Sequence, residues 1–182
     1  MNSLRGTQTE KNLKTAFASE ADARTRYSFY ATQARKEGYV KFSEIISHIA
    51  DNEKEHGKIW FKYLHDGSVP DLVTCLKDCV NGEHYEYSEM YPSFAKVARE
   101  EGFPELALLF ERVGDIERTH EATFSKLLAQ IQEGKVFADD TEACWVCLEC
   151  GHVHYGKKAP EICPVCGHEQ SFFERQECPL GK

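Results

Sequence analysis

Two copies of the pattern Glu-x-x-His, 64 residues apart, constrain the fold of this chain more than any other feature of its sequence. Glu53 and His56 form the first pair, and Glu117 and His120 form the second. Residues three apart lie on one face of an α-helix. Each pair therefore predicts a helix that presents a carboxylate and an imidazole side by side, and the repeat predicts that two such helices are equivalent.

Four long segments with helical periodicity fill the chain before about residue 138. The run ARKEGY at 34–39 resembles the run AREEGF at 98–103, at the same offset of 64. The chain is therefore predicted to be mainly α, with two copies of a helical hairpin forming a four-helix bundle. Glycine after the last periodic residue is a common helix stop. The predicted helices run over 8–37, 40–65, a third segment that ends at Gly102, and 104–133.

Beyond the sequence ADDT at 138–141 the chain changes to short pieces rich in Cys, Gly and Pro. Six of the eight cysteines lie between residues 144 and 178. Clustered Cys-x-x-Cys pairs in a chain without an export signal indicate metal ligands rather than disulfides. We therefore expect two domains, a helical bundle at 1–138 and a small metal-binding domain at 139–182.

Composition excludes several other classes of protein. The net charge of -8 disfavours a nucleic-acid-binding surface, because an acidic protein repels phosphate. The chain contains no run of 18 apolar residues, so no membrane span is expected. Its first twelve residues are polar and lack the apolar core of a signal peptide. A cytoplasmic protein is the default expectation.

Ionisable side chains on apolar helix faces are the main candidates for a metal site. Steps of three or four residues place Glu53 and His56 on the apolar stripe of the second helix. Glu117 and His120 occupy the same position on the fourth helix, and Glu20 lies on the inward face of the first. Charged groups on core faces are costly unless they are paired or bound to a metal.

A single buried glutamate or histidine is more often protonated or hydrogen-bonded than bound to a metal. That reading fails for a set of seven such groups on four helices, because without a cation they would repel one another. A Glu from each of two helices and a Glu-x-x-His pair from each of the others is the ligand set of di-iron carboxylate bundles. Such hard ligands suit iron or manganese better than zinc. The predicted ligands are Glu20, Glu53, His56, Glu83, Glu86, Glu117 and His120.

Three glutamates compete as ligands on the third helix, Glu83, Glu86 and Glu89. Counted back from the glycine that follows each helix, Glu20 lies 18 residues away and Glu83 lies 19. Glu83 is therefore the nearest counterpart of Glu20, Glu86 lies one turn further along the same face, and Glu89 is expected in solvent. The slip of one residue predicts a π-bulge, a feature that often marks functional sites.

The C-terminal segment contains the pairs Cys147-x-x-Cys150 and Cys163-x-x-Cys166, with twelve residues between them. This spacing is a strong signal for a tetrahedral thiolate site. A structural zinc ribbon is the commoner use of the spacing and stays as the alternative. Aromatic residues that can pack around the site in so short a segment favour a rubredoxin-like fold; they are Trp145, Tyr155, Phe172 and Phe173.

The remaining cysteines are interpreted as thiols outside the metal sites. Cys144 could still compete as a ligand, because it lies three residues before the first pair. The other three are Cys75, Cys79 and Cys178.

Together these residues resemble the rubrerythrin family over essentially the whole chain. The runs LRGTQTEKNL at 4–13 and GEHYEYSEMYP at 82–92, together with the cysteine pairs, carry the resemblance. It implies a ferritin-like bundle with a di-iron site that reduces hydrogen peroxide to water, and a rubredoxin-type centre, one iron held by four cysteines, that passes electrons to it. It also implies that His56 exchanges with Glu86 as an iron ligand on reduction. Tyr27 and Tyr91 lie about two turns beyond Glu20 and Glu83, where they either hydrogen-bond ligand carboxylates or simply pack.

The resemblance further implies a role in oxidative-stress defence. The expected electron donor is reduced rubredoxin or an NAD(P)H-dependent flavoprotein reductase. The competing interpretation is a ferritin-like ferroxidase or iron-handling protein whose cysteine domain is a structural zinc ribbon. No nucleic acid or membrane partner is expected.

The link between the second and third helices departs from the family pattern, which usually has a long crossover there. In a ferritin-like bundle these two helices run parallel, so the link must return along the bundle. Only residues 66–70 precede a stretch that itself looks helical, and five residues span at most about 18 Å. We therefore predict a domain-swapped homodimer, in which helices 1–2 of one chain complete a bundle with helices 3–4 of the other. The alternative is that residues 71–80 form an extended crossover.

Overall fold

A computed structural model describes residues 3–177 of the chain. Within that range the protein forms two compact units, which divide between Asp71 and Leu72. The first unit is a helical hairpin, and the second contains three helices followed by a small sheet. Among the described residues, no helix combines the length and the apolar character needed to cross a membrane.

The hairpin of the first unit consists of α1 (Gln8–Lys36) and α2 (Val40–Leu64). Thr7 caps the start of α1, since its hydroxyl oxygen accepts a hydrogen bond from the backbone N–H of Glu10. Gly38 adopts a φ of 88° in the connection between the helices, a conformation that suits glycine. The predicted glycine stop therefore lies where the chain reverses.

Small side chains form the seam between α1 and α2. The buried residues of the two helices are Ala23, Ala31, Ser43, Ala50 and Gly57. Small residues allow two helix backbones to approach closely, but they bury little apolar area. The larger apolar side chains of the hairpin stay accessible.

The helices of the second unit are α3 (Leu72–Tyr85), α4 (Tyr91–Glu100) and α5 (Pro104–Gln132). A single π-helical turn, Glu86–Met90, joins α3 to α4. The predicted π-bulge is therefore confirmed, and it starts at one of the candidate ligands. The alternative of an extended crossover over residues 71–80 is wrong, because α3 already begins at Leu72.

The sheet of the second unit has three antiparallel strands in the order β2-β1-β3. They are β1 (Ala138–Cys147), β2 (Val153–Lys158) and β3 (Phe173–Gln176). Trp145 and Phe173 form the core of this region together with two of the paired cysteines, Cys147 and Cys163. The indole N–H of Trp145 donates to the carbonyl oxygen of Gly156 at 2.9 Å, which satisfies its polar group. The predicted domain boundary at residue 138 stays a prediction.

Two helix glycines offer a matched test of the packing. A Cβ added at Gly57 would meet Glu20 Cβ at 3.5 Å, an ordinary contact, whereas one at Gly114 would meet Tyr91 Cβ at 3.3 Å. Alanine in a helix interior is favoured over glycine by about 0.5–1 kcal/mol. We expect Gly57→Ala to raise the free energy of unfolding by about that amount and Gly114→Ala to raise it less. Denaturant unfolding of the metal-free proteins measures both, and an equal gain at the two positions would contradict the packing described here.

Candidate metal centres

The first unit brings three of the predicted ligands together. Glu20 lies on α1, whereas Glu53 and His56 lie one turn apart on α2. The Nδ1 atom of His56 lies 2.9 Å from Glu53 Oε2 and 4.0 Å from Glu20 Oε1. Both carboxylates are largely covered, whereas the imidazole is 52% exposed. We call these three residues half-site 1.

The second unit repeats this arrangement. The Nδ1 atom of His120 on α5 lies 2.7 Å from Glu117 Oε2 and 3.5 Å from Glu83 Oε2, which belongs to α3. The exposure pattern is also the same, since both carboxylates are largely covered and His120 is 50% exposed. These three residues are half-site 2. The two Glu-x-x-His copies that repeat in the sequence thus also have the same arrangement of side chains in the structure.

Each half-site offers the donor atoms that a metal ion needs. One ligand atom from each of its three residues lies within 4.8 Å of the others. Two atoms bound to the same first-row metal ion at about 2.0–2.2 Å can be up to about 4.4 Å apart. A small movement of the side chains therefore brings each group to ligand distances. The donors, two carboxylates and one imidazole, suit iron, and together the two groups fit a di-iron site.

Electrostatics at half-site 2 also favour a cation. Burial raises the pKa of the Glu83 carboxyl above its usual range, and the negative charge of Glu117 raises it further. The charge of Glu86 acts in the same direction, and only His120 opposes it. Carboxylates gathered in this way resist ionisation unless a positive charge lies among them. A metal ion supplies that charge.

Glu86 and Glu89 occupy different environments, although both belong to the π-turn. Glu86 is half-buried, and its charge contributes to the raised pKa of Glu83. Glu89 is exposed, as the sequence predicted. Glu86 lies outside the closest group of donor atoms. Its assignment as a ligand stays a prediction.

Tyr91 lies beside half-site 2. Burial raises the pKa of its phenol above the usual range, and the charges of Glu86, Glu117 and Glu83 raise it further. A neutral hydroxyl group near three carboxylates is a suitable hydrogen-bond donor to a ligand oxygen. Tyr27, its counterpart in the first unit, packs against Tyr30 with ring centroids 6.3 Å apart.

A third polar group, on α3, the π-turn and α5, was not found from the sequence. His84 Nδ1 lies 3.1 Å from Glu121 Oε1 and 3.2 Å from the hydroxyl oxygen of Tyr87. In the chain, His84 directly follows Glu83, and Glu121 directly follows His120. This group therefore lies beside half-site 2. The adjacency of a second His and Glu to the predicted ligands was the available signal.

The four paired cysteines form one cluster. The Sγ atoms of Cys147 and Cys166 are 3.7 Å apart, and those of Cys150 and Cys163 are 3.6 Å apart. Four sulfur atoms bound at about 2.3 Å to a central ion form a tetrahedron with an edge of about 3.8 Å. The cluster therefore fits a tetrahedral metal ion and matches a rubredoxin-type iron site. Cys144 lies outside this group, and the described residues contain no disulfide. Cys178 lies outside the described residues.

The two cysteine pairs lie in turns of the same construction. The N–H of Gly151 donates to the carbonyl oxygen of Cys147, and the N–H of Gly167 donates to that of Cys163. Both glycines have a positive φ, 73° and 77°, which residues with a Cβ rarely adopt. These turns hold the backbone on both sides of each cysteine pair in the same conformation.

The thiols of the cluster differ in how readily they ionise. Burial opposes ionisation of Cys163, but backbone N–H donors from Cys166 and Val165 lower the pKa of its thiol to about 6. The N–H of His168 favours ionisation of Cys166, yet burial and the neighbouring thiols together raise its pKa to about 12. The thiol of Cys163 therefore ionises easily, whereas the pKa values of the Cys150 and Cys166 thiols are raised, so these two resist ionisation without a cation. This is the behaviour expected of a metal-binding cluster.

The choice of Glu86 over Glu89 can be tested by a matched pair of variants. We expect Glu86→Gln to lower the amount of iron bound per chain or its affinity, because Glu86 lies at the covered end of the π-turn next to Glu83. We expect Glu89→Gln to bind iron like the wild-type protein, because Glu89 is exposed. Iron analysis after reconstitution with Fe(II) measures both. Equal loss in the two variants would show that the assignment is wrong.

The cysteine cluster has a matched control in the same chain. We expect Cys150→Ser to lose one bound metal ion per chain and the visible thiolate-to-iron absorption, because one corner of the tetrahedron is removed. Cys79→Ser changes a half-buried cysteine outside the cluster and should keep both. Metal analysis and the visible spectrum provide the readout. A Cys150→Ser protein with unchanged absorption would rule out the four-cysteine site.

Comparison with known proteins agrees with both centres. Residues 11–128 match the rubrerythrin family, and residues 145–174 match the rubrerythrin, rubredoxin-like domain family. The chain is 44% identical to rubrerythrin of Nitratidesulfovibrio vulgaris, over 96% of this chain and 97% of that protein. It is 46% identical to rubrerythrin of Clostridium perfringens over the same shares, and 39% identical to that of Porphyromonas gingivalis over 94% and 92%. The chain belongs to the rubrerythrin family.

Proposed function

We propose that this protein is a non-haem di-iron peroxidase that reduces hydrogen peroxide to water with electrons delivered through its four-cysteine iron centre. The observation that carries the proposal is the presence of two chemically different metal sites in one chain. Carboxylates and imidazoles form one, and four thiolates arranged as a tetrahedron form the other. A chain that only stored or oxidised iron would have no use for a redox-active thiolate centre.

The reaction is balanced by two electrons and two protons. Hydrogen peroxide, two electrons and two protons give two molecules of water as the O–O bond breaks. When bound, two ferrous ions supply the two electrons at a single site. The six residues of the two half-sites, together with Glu86, would hold the ions. The half-exposed imidazoles of His56 and His120 would leave an opening for a small substrate such as peroxide.

His56 has a second role in this proposal, as a ligand that exchanges with Glu86. Its Nδ1 atom lies 2.9 Å from Glu53, so the carboxylate holds the imidazole in place when it is not a ligand. Carboxylate suits the harder Fe(III), and imidazole suits Fe(II) better. Glu86 would therefore suit the ferric ion as a ligand, and His56 would suit the ferrous ion.

Electrons enter through the cysteine centre. Cys150 is exposed, whereas Cys147 and Cys163 are buried and Cys166 is partly covered. The edge of the cluster at Cys150 is therefore the natural contact for a donor. Reduced rubredoxin or an NAD(P)H-dependent flavoprotein reductase fits this role. We place the protein in the cytoplasm as part of the defence against oxidative stress.

The proposal is tested by mixing the fully reduced protein, whose three ferrous ions per chain can give up three electrons, with two equivalents of hydrogen peroxide per chain, which can accept all of them. We expect the visible absorption of the ferric thiolate centre to return, because electrons drawn to peroxide leave that centre oxidised. Loss of a group that only hydrogen-bonds a metal ligand lowers activity by about 10–100-fold. Glu117 is proposed as a direct ligand, so Glu117→Gln should slow the return of the absorption by more than that. Glu89→Gln, which changes an exposed carboxylate, is the control and should react at the wild-type rate.

Three results would count against the peroxidase. Absorption that returns equally fast in Glu117→Gln would show that peroxide reacts directly at the cysteine centre. No return in the wild-type protein would exclude coupled electron transfer. A colourless cysteine domain that contains zinc, together with oxidation of added Fe(II), would favour the ferroxidase.

A further inference from the structure

The seam between α1 and α2 carries a polar groove that contains none of the proposed metal ligands. We call it the α1–α2 groove. Its volume is about 340 Å³, and two arginines, one aspartate and four hydroxyl side chains line it together with two alanines. Sites for small ligands in proteins usually measure about 300–1,000 Å³. The groove is therefore large enough for a small ligand, and its lining suits a polar one.

Ser43 is the most deeply buried polar residue of this groove. It is 2% exposed, and its hydroxyl group makes no hydrogen bond within the part of the chain that the structure describes. A buried hydroxyl group without a partner is costly. The residue at the same position of the second unit, 64 residues on, is Ala107, which is fully buried. Packing at this position is thus satisfied by alanine, and the hydroxyl group of Ser43 is left available to a ligand in the groove.

Arg35 is a second group of the groove without a partner. In the second unit its counterpart Arg99 donates to Glu111 Oε1 at 2.6 Å. The counterpart of Glu111 in the groove is Ser47, which has no charge. Over residues 3–177, the guanidinium group of Arg35 accordingly forms no ion pair. The groove therefore has an open position where the second unit has a carboxylate.

The charge of the lining also favours an anion. Arg24 Nη2 lies 3.4 Å from Asp51 Oδ1, so the aspartate compensates one of the two arginines and leaves the charge of Arg35 uncompensated. The matching groove of the second unit contains two acidic residues, Glu111 and Asp115, and one arginine. The two seams share their backbone arrangement, but only the α1–α2 groove has a net positive lining.

We propose that the α1–α2 groove binds a phosphate group, either as the free ion or as part of a small phosphate ester. A guanidinium group donates two parallel hydrogen bonds to phosphate, and each serine hydroxyl can donate one more. Arg35, Ser43 and Ser47 together need an anion with more than two acceptor oxygens. Phosphate has them, whereas a carboxylate offers two. The phosphate would occupy the position that the Glu111 carboxylate occupies in the second unit.

Equilibrium dialysis of the iron-loaded protein against radiolabelled inorganic phosphate tests the site. We expect saturable binding of one phosphate per chain at the groove. Unlabelled glycerol 3-phosphate and acetate are then added as competitors. Glycerol 3-phosphate that competes better than unlabelled phosphate would identify a phosphate ester as the ligand, and weaker competition would identify the free ion. Acetate should compete with neither.

Three variants locate the bound phosphate. Loss of a hydrogen bond to a charged group lowers affinity by roughly 10–100-fold, which is the loss expected for Arg35→Gln. Ser47→Glu introduces the carboxylate that the second unit already has, and should weaken binding by at least as much. Ser43→Ala copies the packing at Ala107 and should lower affinity by about 2–10-fold.

Arg99→Gln is the matched control, because it makes the same change at the equivalent position of the second unit. It should bind phosphate like the wild-type protein. Circular dichroism and iron content check that each variant keeps its helices and its metal centres, since none of the four positions is a proposed ligand.

The outcomes are separate from those of the peroxidase proposal, because the groove is independent of the iron chemistry. Wild-type protein without saturable phosphate binding would overturn the site. Phosphate bound at an iron ion would be retained in Arg35→Gln and Ser47→Glu, so unchanged affinity in these two variants would overturn it as well. Acetate that competes as well as phosphate would refute the assignment of the ligand as a phosphate group.

Discussion

The convergence of two carboxylates on one imidazole is the constraint that both helical units share. Glu83 and Glu117 converge on His120 closely enough for burial and their mutual charge to raise the pKa of Glu83. Placed on apolar helix faces, such a group opposes folding unless a cation binds. Because a cation turns this repulsion into attraction, metal binding and bundle formation are coupled. The ligands are therefore also determinants of the fold.

The cysteine centre also gathers several ionisable groups around one site, but its ligand atoms are sulfur. Its thiols are positioned by two equivalent turns whose hydrogen bonds depend on Gly151 and Gly167. Soft thiolates delocalise the charge of one tetrahedral ion, whereas carboxylates and imidazoles are the donors that fit a di-iron site. The two centres are thus distinguished by donor type, and both types can be recognised in the sequence.

Much of the fold was accessible from the sequence because the signals were local. Helix periodicity placed Glu53 and His56 on one face, and a one-residue slip at Glu83 predicted the π-turn. The His84–Glu121 contact was missed, since it joins residues 37 apart in the chain and depends on how α3 crosses α5. The alternative of an extended 71–80 segment could not be dismissed until α3 was seen to begin at Leu72. Contacts that depend on packing between helices leave no periodic signal.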